Sequence, residues 1–533
     1  MRTLQELMLR PWIYLLIVLI GIFLKFYRID YRYFWYDEVS TIMHTSGING
    51  KAFLEKLPVN EVENIQYYHD LLSFKKQDLT IQSQLKGICS MTNLNPLHYA
   101  FLVFWQRIVG EEDIHYRYFN VFIFLLTLPF LFYLTKFLFK SNLAGWIAIS
   151  IFSVSPFFQY YTVEARYNAL CTFYIIINQY FFLRALEGKG IKWWTGYLFS
   201  GILCLYSSFN LWLIFIAHFI YILIYKREIF IHYFISSFLI FLGYLPWLIS
   251  IFNNLSEIKI ALAWHEWYGI NQNVLTLFLA QLYLTAYSFV TFNDFTTQAN
   301  MFRYHQFDGN YIHLIFNILM IGLLVFSIYY TYKRTEKKVF AYVLLIIVPQ
   351  FLYFLITDIV RQTGISLIWR YNNLALIGFI FYLIFLFYHR LSLKQNAFAF
   401  ILIVFLGLGI ISNLYMSNKY YMPFFHKELA NSTLLNTYEN SLLISDFKTV
   451  FAGGDAAGSL AFTNACVSDK IDIFRVKPNI QNITTYFDSS KYSNIYVLHA
   501  SEELINNLKL QLGEKMDSLQ IDGFVNEWQI LYK

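Results

Sequence analysis

Pro11-Trp-Ile-Tyr-Leu-Leu-Ile-Val-Leu-Ile-Gly-Ile-Phe-Leu24 runs directly into Lys25-Phe-Tyr-Arg28, and Phe34-Trp35-Tyr36-Asp37-Glu38 follows a few residues later. With Arg2 and Arg10 in front of it, the apolar stretch has the outline of a secretory signal, yet no small-residue cleavage site follows. It reads as an uncleaved first membrane span that starts in the cytoplasm. The pattern then repeats. Apolar runs close to the roughly 20 residues a helix needs to cross a bilayer core recur at 117–138, 143–160, 168–186, 195–208, 209–225, 229–252, 312–332, 339–358, 370–388 and 396–416. Composition agrees: the 533 residues are 57% hydrophobic and 14% charged, against about 45–50% and about 25% in soluble domains. A soluble enzyme, a disordered chain and a disulfide mini-protein are excluded. Continuous rather than alternating apolar runs also exclude a transmembrane β-barrel. The expected class is an α-helical polytopic membrane protein with about 11 transmembrane helices.

Loop charge sets the expected orientation. With the N-terminus inside, Lys136 and Lys140, Arg184, Lys189 and Lys192, Lys226 and Arg227, Lys333 to Lys338, and Arg390 and Lys394 all fall in cytoplasmic loops. Basic clusters between spans are the positive-inside pattern, so the net charge of +6 implies a lipid bilayer and no nucleic acid. Counting Pro96–Ile108 as a further span would invert every later loop. That stretch is short and carries His98 and Arg107 near its ends, so it is expected to be an amphipathic surface helix. Three outer segments follow: the first loop at 29–116, residues 253–311, and a tail. The expected domains are thus 1–416, transmembrane and catalytic, and 417–533, a small soluble extracytoplasmic α/β domain. The tail shows β-like runs at Leu442–Ser445, Ile495–Leu498 and Trp528–Tyr532 and a helical pattern at Glu502–Leu512. Its Gly453-Gly454-Asp455-Ala-Ala-Gly458 lacks the spacing of a phosphate loop and reads as a turn. Cys171 and Cys204 lie in apolar runs as packing residues. Cys89 and Cys466 share the outer side, where free thiols are favoured over a disulfide.

Two clusters carry chemistry. Asp37 and Glu38 stand at a membrane–water boundary behind three aromatic residues, where a carboxylate is costly without a partner. Aromatic anchoring with solvated acids is the plain alternative; a general base acting on a hydroxyl is the functional one. The second cluster is Ser155-Pro156-Phe-Phe-Gln159-Tyr160-Tyr161-Thr-Val-Glu164-Ala-Arg166-Tyr167, in which Pro156 ends or kinks the helix. Arg117, Arg166 and Arg370 each open a span on the outer side, against the positive-inside bias. Each alone is a snorkelling residue; together with carboxylates on the same face they suggest an anion site, where an arginine holds a phosphate bidentately.

The order of these features resembles the GT-C superfamily of polyprenyl-phosphate-sugar-dependent glycosyltransferases, in particular the protein O-mannosyltransferase and aminoarabinose-transferase branch. The matching pieces are Trp35-Tyr36-Asp37-Glu38, Asn95-Pro96-Leu97-His98-Tyr99, Gly110 followed by Tyr116-Arg117, the Ser155–Tyr167 cluster, and Arg370-Tyr371. The resemblance covers residues 10–190 well and 310–390 loosely. It implies an inverting enzyme that takes a monosaccharide from a polyprenyl-phosphate-linked sugar donor to a hydroxyl of an extracytoplasmic acceptor, whether protein, lipid or envelope glycan. Asp37 is then the catalytic base and Glu38 orients the acceptor or an arginine. Arg117, Arg166 and Arg370 bind the donor phosphate, and Glu164, His98, Tyr167 and Tyr371 line the sugar and acceptor side. The leaving group is already anionic, so the two-carboxylate scheme of glycosidases is not required, and fixed cations take its place. One departure stands out: where the family commonly reads His-Pro-Pro, this chain has Asn95-Pro96-Leu97-His98, and His98 either takes over a polar role there or faces water, the plainer expectation. Asp37, Glu38, His44, His69 and His98 show no diagnostic metal spacing, so metal independence and no cofactor are expected, a divalent metal being known in some relatives. Richness in Lys, Asn, Ile, Phe and Tyr suggests AT-rich bacterial coding, hence the cytoplasmic (inner) membrane, an undecaprenyl donor and a periplasmic site; the endoplasmic reticulum is the lesser alternative. Rival functions are a transporter or flippase, which predicts inverted repeats and mid-span charges, a ligase or polymerase of lipid-linked glycans, and a scaffold presenting the tail.

Overall fold

The computed structural model describes residues 4–31, 34, 36–48, 50–188, 190–261, 274–292, 311–418, 440–446, 470–497, 501–512, 516–521 and 524–530. In chain order the helices are α1 (Leu4–Met8), α2 (Pro11–Phe26), α3 (Tyr36–Thr45), α4 (Gly50–Lys56), α5 (Ile65–Asp70), α6 (Ile81–Ser90), α7 (Pro96–Val109), α8 (Asp113–Phe139), α9 (Asn142–Val154), α10 (Pro156–Thr162) and α11 (Asn168–Ala185). They continue with α12 (Ile191–Ser207), α13 (Trp212–Tyr225), α14 (Phe230–Asn253), α15 (Leu255–Ala261), α16 (Val274–Tyr287), α17 (Tyr311–Arg334), α18 (Lys337–Arg361), α19 (Asn373–Ser392), α20 (Asn396–Ser417) and α21 (Glu502–Leu512). The strands are β1 (Val62–Asn64), β2 (Ser441–Asp446), β3 (Ile471–Val476), β4 (Asn494–Val497), β5 (Met516–Ile521) and β6 (Phe524–Ile530). The chain divides into two units: one of Met1–Ile29, Thr92–His98 and Tyr116–Tyr421, the other of Asp30–Met91, Tyr99–His115 and Met422–Lys533.

The first unit is the membrane part. Every expected span falls on a helix. Among the described residues, Asp113–Phe139, Arg227–Asn253, Tyr311–Arg334, Lys337–Arg361, Trp369–Ser392 and Asn396–Ser417 are long and apolar enough to cross a bilayer, and the bent pair α9 and α10 adds one more. The outward face identifies the solvent. On α14, Ile231, Phe234, Phe238, Leu242, Leu245, Ile249 and Phe252 are exposed, while Tyr233, Ser236, Tyr244 and Trp247 turn inward. Apolar side chains outside and polar ones inside suit hydrocarbon and would be unstable in water. The protein is a multi-pass membrane protein.

Two local features shape this unit. Pro156 supplies no N–H and stands at the first position of α10, so the helix breaks there and α10 leaves α9 at 62°. The second lies in the outer segment 253–311. It contains α16, an apolar helix of 14 residues whose Leu277, Ala280, Leu284 and Tyr287 are buried. At 1.5 Å per residue it extends about 21 Å, short of the about 30 Å hydrocarbon core, and Gln281 and Thr285 interrupt it. Apolar length alone therefore passed it over. Cys171 and Cys204 are buried, as packing residues should be, and Cys89 is exposed; Cys466 and Gly453–Gly458 lie outside the described residues.

The second unit holds a six-stranded sheet in the order β1-β3-β2-β4-β6-β5. Strand β2 is central and parallel to both β3 and β4, while β6 runs antiparallel to β4 and β5. Leu504, Leu508 and Leu512 of α21 recur on one helical face and close over Leu442, Ile444, Phe474, Val476, Ile495 and Val497. The small α/β fold expected of the tail is present. Strands β3 and β5 are not among the expected runs, and neither is β1, which comes from the first loop and pairs antiparallel with β3, Val62 opposite Phe474, Glu63 opposite Ile473 and Asn64 opposite Asp472.

Candidate active site

In the first unit the site is built at helix ends. Segment Val163–Tyr167 joins α10 to α11 and holds buried Glu164 and Arg166. Its backbone is tied to α8, because Asn120 Nδ2 donates to the carbonyl oxygens of both Glu164 and Arg166, the latter at 2.8 Å. The Glu164 carboxylate accepts from Asn168 Nδ2 at 3.2 Å, in the first turn of α11. One turn before Asn120, fully buried Arg117 donates Nη1 to the Ile29 carbonyl oxygen at 2.6 Å. The guanidinium of Arg166 lies over the Tyr167 ring at 5.5 Å. Burial raises the Tyr167 phenol far above its ordinary range, which keeps it a neutral donor.

Arg370 enters from the other half of the unit. It sits in the short helical turn Trp369–Asn372 before α19, 5.7 Å over the ring of Tyr371, which stacks on Phe354 at 5.6 Å. Gln350 Nε2 donates to the Tyr371 carbonyl oxygen, and its Oε1 accepts from the Ala375 N–H at 2.5 Å. Just upstream, buried Asp358 accepts from Thr363 Oγ1 at 2.9 Å, Ile365 N–H at 2.7 Å and Ser366 N–H at 2.9 Å, which fixes the loop leading to Arg370. Trp369 is buried among Phe157, Tyr160, Tyr161 and Tyr287, and its Nε1 donates to Ser288 Oγ at 2.6 Å. Tyr161 feels both Glu164 and Arg370, and Tyr167 feels Tyr371, Arg370 and Arg166. Glu164, Arg166, Arg370 and Tyr371 thus lie within electrostatic reach of Tyr161 or Tyr167, although two hundred residues separate the segments.

His98 corrects an expectation. Its ring is 0% exposed and packs on Phe119 at 5.7 Å instead of facing water. Burial, followed by the Arg166 charge, pulls its pKa down to about 3, so it is a neutral imidazole beside the arginine. Three residues before it, the Asn95 side chain accepts from the Phe209 N–H at 3.2 Å and ties the start of α7 to the segment before α13. Sequence reasoning also missed Lys25. It is wholly buried, donates to the Ser153 carbonyl oxygen at 3.2 Å and Gln159 Oε1 at 2.6 Å, and lies 4.8 Å over the Phe124 ring. A lysine inside an apolar helix is a signal in itself, but it had been read as a flank.

Asp37 and Glu38 belong to the second unit, in the first turn of α3, Glu38 buried and Asp37 half-buried. A helix N-terminus stabilises carboxylates through its unpaired N–H groups. The helix is seated firmly: Thr45, at its end, accepts through its carbonyl from Gln84 Nε2 at 2.7 Å and through Oγ1 from Gln106 Nε2 at 3.2 Å. Among the described residues no three His, Cys, Asp or Glu side chains converge as a metal ligand set. Trp35 lies outside the described residues.

Residues 94–252 match the family model described as dolichyl-phosphate-mannose-protein mannosyltransferase, a stretch that contains His98, Arg117, Glu164, Arg166 and Tyr167 but neither Asp37 nor Arg370. No curated protein matches by sequence. The crystal structure of ArnT from Cupriavidus metallidurans bound to undecaprenyl phosphate is similar over 97% of this chain and 97% of that one, at 10% identity and a TM-score of 0.53. The Archaeoglobus fulgidus oligosaccharyltransferase, tethered with an acceptor peptide containing the NVT sequon, is 12% identical over 76% of this chain, with a TM-score of 0.43. The chain spans 60% of that enzyme's length. Residues 94–252 thus match the mannosyltransferase model in sequence, and the chain shares the fold of ArnT along nearly its whole length.

Proposed function

We propose that the protein is an inverting glycosyltransferase that moves a monosaccharide from a polyprenyl phosphate to a hydroxyl of an acceptor on the extracytoplasmic face. The observation that carries this reading is the convergence of Arg166, Arg370, Glu164, Tyr167 and Tyr371 at helix ends in an ArnT-like fold. Arginine forks suit a phosphate monoanion or dianion, and the ArnT structure holds undecaprenyl phosphate. In this reaction the acceptor oxygen attacks the anomeric carbon as its proton passes to the Asp37 carboxylate. The bond between that carbon and the phosphate oxygen breaks, its electron pair leaves with the polyprenyl phosphate, and the configuration inverts. Arg117, Arg166 and Arg370 offset the charge that gathers on the leaving oxygen. Neutral His98, Tyr167 and Tyr371 offer polar contacts to the sugar without adding charge, and Glu38 orients the acceptor. In this reading the site faces the periplasm of a bacterial inner membrane, residues 1–416 form the transmembrane catalytic part and 417–533 the soluble domain.

The test uses purified protein in nanodiscs with a panel of polyprenyl-phosphate monosaccharides, following release of free polyprenyl phosphate. Wild type should release it slowly even without an acceptor, water replacing the hydroxyl, and Asp37→Asn should lose at least about 100-fold. Equal release by wild type and Asp37→Asn would remove Asp37 as the base. Failure to bind any donor would remove the donor class.

A further inference from the structure

We propose that the tail is a positioning element for the acidic motif: strand β3 grips the first loop, and a continuous line of contacts carries that grip to the helix bearing Asp37 and Glu38. The grip is specific. Asp472 on β3 accepts through Oδ1 from Asn64 Nδ2 at 2.9 Å and through Oδ2 from Tyr492 Oη at 2.8 Å, so one carboxylate ties the loop strand to the tail's own turn. Asn64 Nδ2 also reaches the Ile471 carbonyl oxygen at 3.3 Å, and its Oδ1 caps α5 by accepting from the Gln66 N–H at 2.9 Å. At the other end of β1, the Asn60 N–H donates to the Arg475 carbonyl oxygen at 2.8 Å and Asn60 Oδ1 accepts from the Lys477 N–H at 3.1 Å. A three-residue strand with a side-chain bond at each end is fixed in register, although such a strand has little stability of its own.

From α5 the line continues. Gln77 Nε2 donates to the Asp70 carbonyl oxygen at 3.1 Å, and Glu111 receives Ser73 Oγ at 2.6 Å and the Phe74 N–H at 3.0 Å. Arg107 lies 4.0 Å over the Phe74 ring and donates to the Leu79 carbonyl oxygen and, at 2.6 Å, to Gln84 Oε1. Gln84, buried on α6, then donates to the Thr45 carbonyl oxygen at the end of α3. The turn that follows α3 lies backbone to backbone against α6, since a Cβ on Gly87 would collide with the Gly47 carbonyl oxygen. A rigid ten-residue helix, α3, separates that contact from Asp37. The links are hydrogen bonds apart from the Arg107–Phe74 stacking, so loosening β1 frees the loop that α6 leans on, and the N-terminal turn of α3 with it. Asn64 and Asp472 are thus positioning residues.

Asn64 and Asp472 face each other in register, so the double variant N64C/D472C both removes the native bond and supplies a removable one, cross-strand partners being within disulfide reach. The full chain in nanodiscs is compared reduced and oxidised, with N64A and D472A as single variants. Hydrogen exchange is read over residues 36–45 and 62–64. Reduced double variant and both alanine variants should exchange about ten-fold faster than wild type at both segments, and oxidation should restore the double variant at both. The inference extends the proposed function only in its kinetic arm: donor turnover should fall about ten-fold in kcat with donor KM unchanged, and recover on oxidation. If 62–64 loosens while 36–45 stays protected, the tail merely docks on the loop and the inference is overturned. If exchange behaves as expected but wild type turns over no donor, the positioning stands and the proposed reaction falls.

Discussion

Lys25→Met removes a buried amine from the point where the broken span of α9 and α10 meets α2. Ser153 cannot find its usual helical donor there, because the Phe157 N–H four residues on donates instead to the Ser288 carbonyl oxygen at 3.3 Å. Lys25 fills that vacancy at 3.2 Å and binds Gln159 Oε1 at 2.6 Å, while Gln159 Nε2 returns a bond to the Leu24 carbonyl oxygen at 2.7 Å. Methionine has similar length and leaves two acceptors without their donor, at about 1–3 kcal/mol each. It also loses the contact over Phe124, worth about 0.5–2 kcal/mol. Taking the lower end for each of the two acceptors, the net loss should be about 2 kcal/mol, read as a lowered midpoint in reversible unfolding from mixed micelles. Gln159→Leu should weaken the protein too, and the double variant should be less destabilised than the sum by about 1–2 kcal/mol, since the pair shares one interaction. Additive losses, or a Lys25→Met protein within about 0.5 kcal/mol of wild type, would refute the view that this lysine pins the break.

Two further outcomes follow from the same geometry. His98 has a folded pKa of about 3 against 6.5 in the unfolded chain, so its contribution is complete above pH 6.5 and lost as pH falls from there towards 3; His98→Asn should flatten the pH dependence of the unfolding midpoint in that window. Asp358→Ala leaves the Ile365 and Ser366 N–H groups and the Thr363 hydroxyl without their acceptor, which should cost about 3 kcal/mol in total. It should also raise donor KM through Arg370 while Asp358→Asn retains part of both, and an unchanged KM in the alanine variant would separate that loop from the donor site.

The membrane helices were legible because hydropathy is a property of each residue and its near neighbours, and eleven runs of it fall on helices. The break at Pro156 was legible for the same reason: a missing N–H acts locally. Arg166, Arg370 and Glu164 could be nominated from their sidedness and Tyr167 and Tyr371 from the resemblance, and Tyr167 lies within electrostatic reach of Arg166, Arg370 and Tyr371. His98 could not be read, because whether a ring at the start of an amphipathic helix meets water or protein depends on Phe119 from another helix. Helix α16 escaped because it is apolar but too short to announce a span.

The sequence by itself determined the solvent this chain folds in, the ends of its helices and the residue types gathered there, since each follows from local hydropathy, charge and turn chemistry. Only the tertiary structure decided that Lys25 points inward and that Asn64 bonds Asp472 across 408 positions. Strand β3 shows why: Ile471-Asp-Ile-Phe-Arg-Val476 carries two charges in a mostly buried run, which reads poorly as a strand until a distant loop supplies the partner for Asp472.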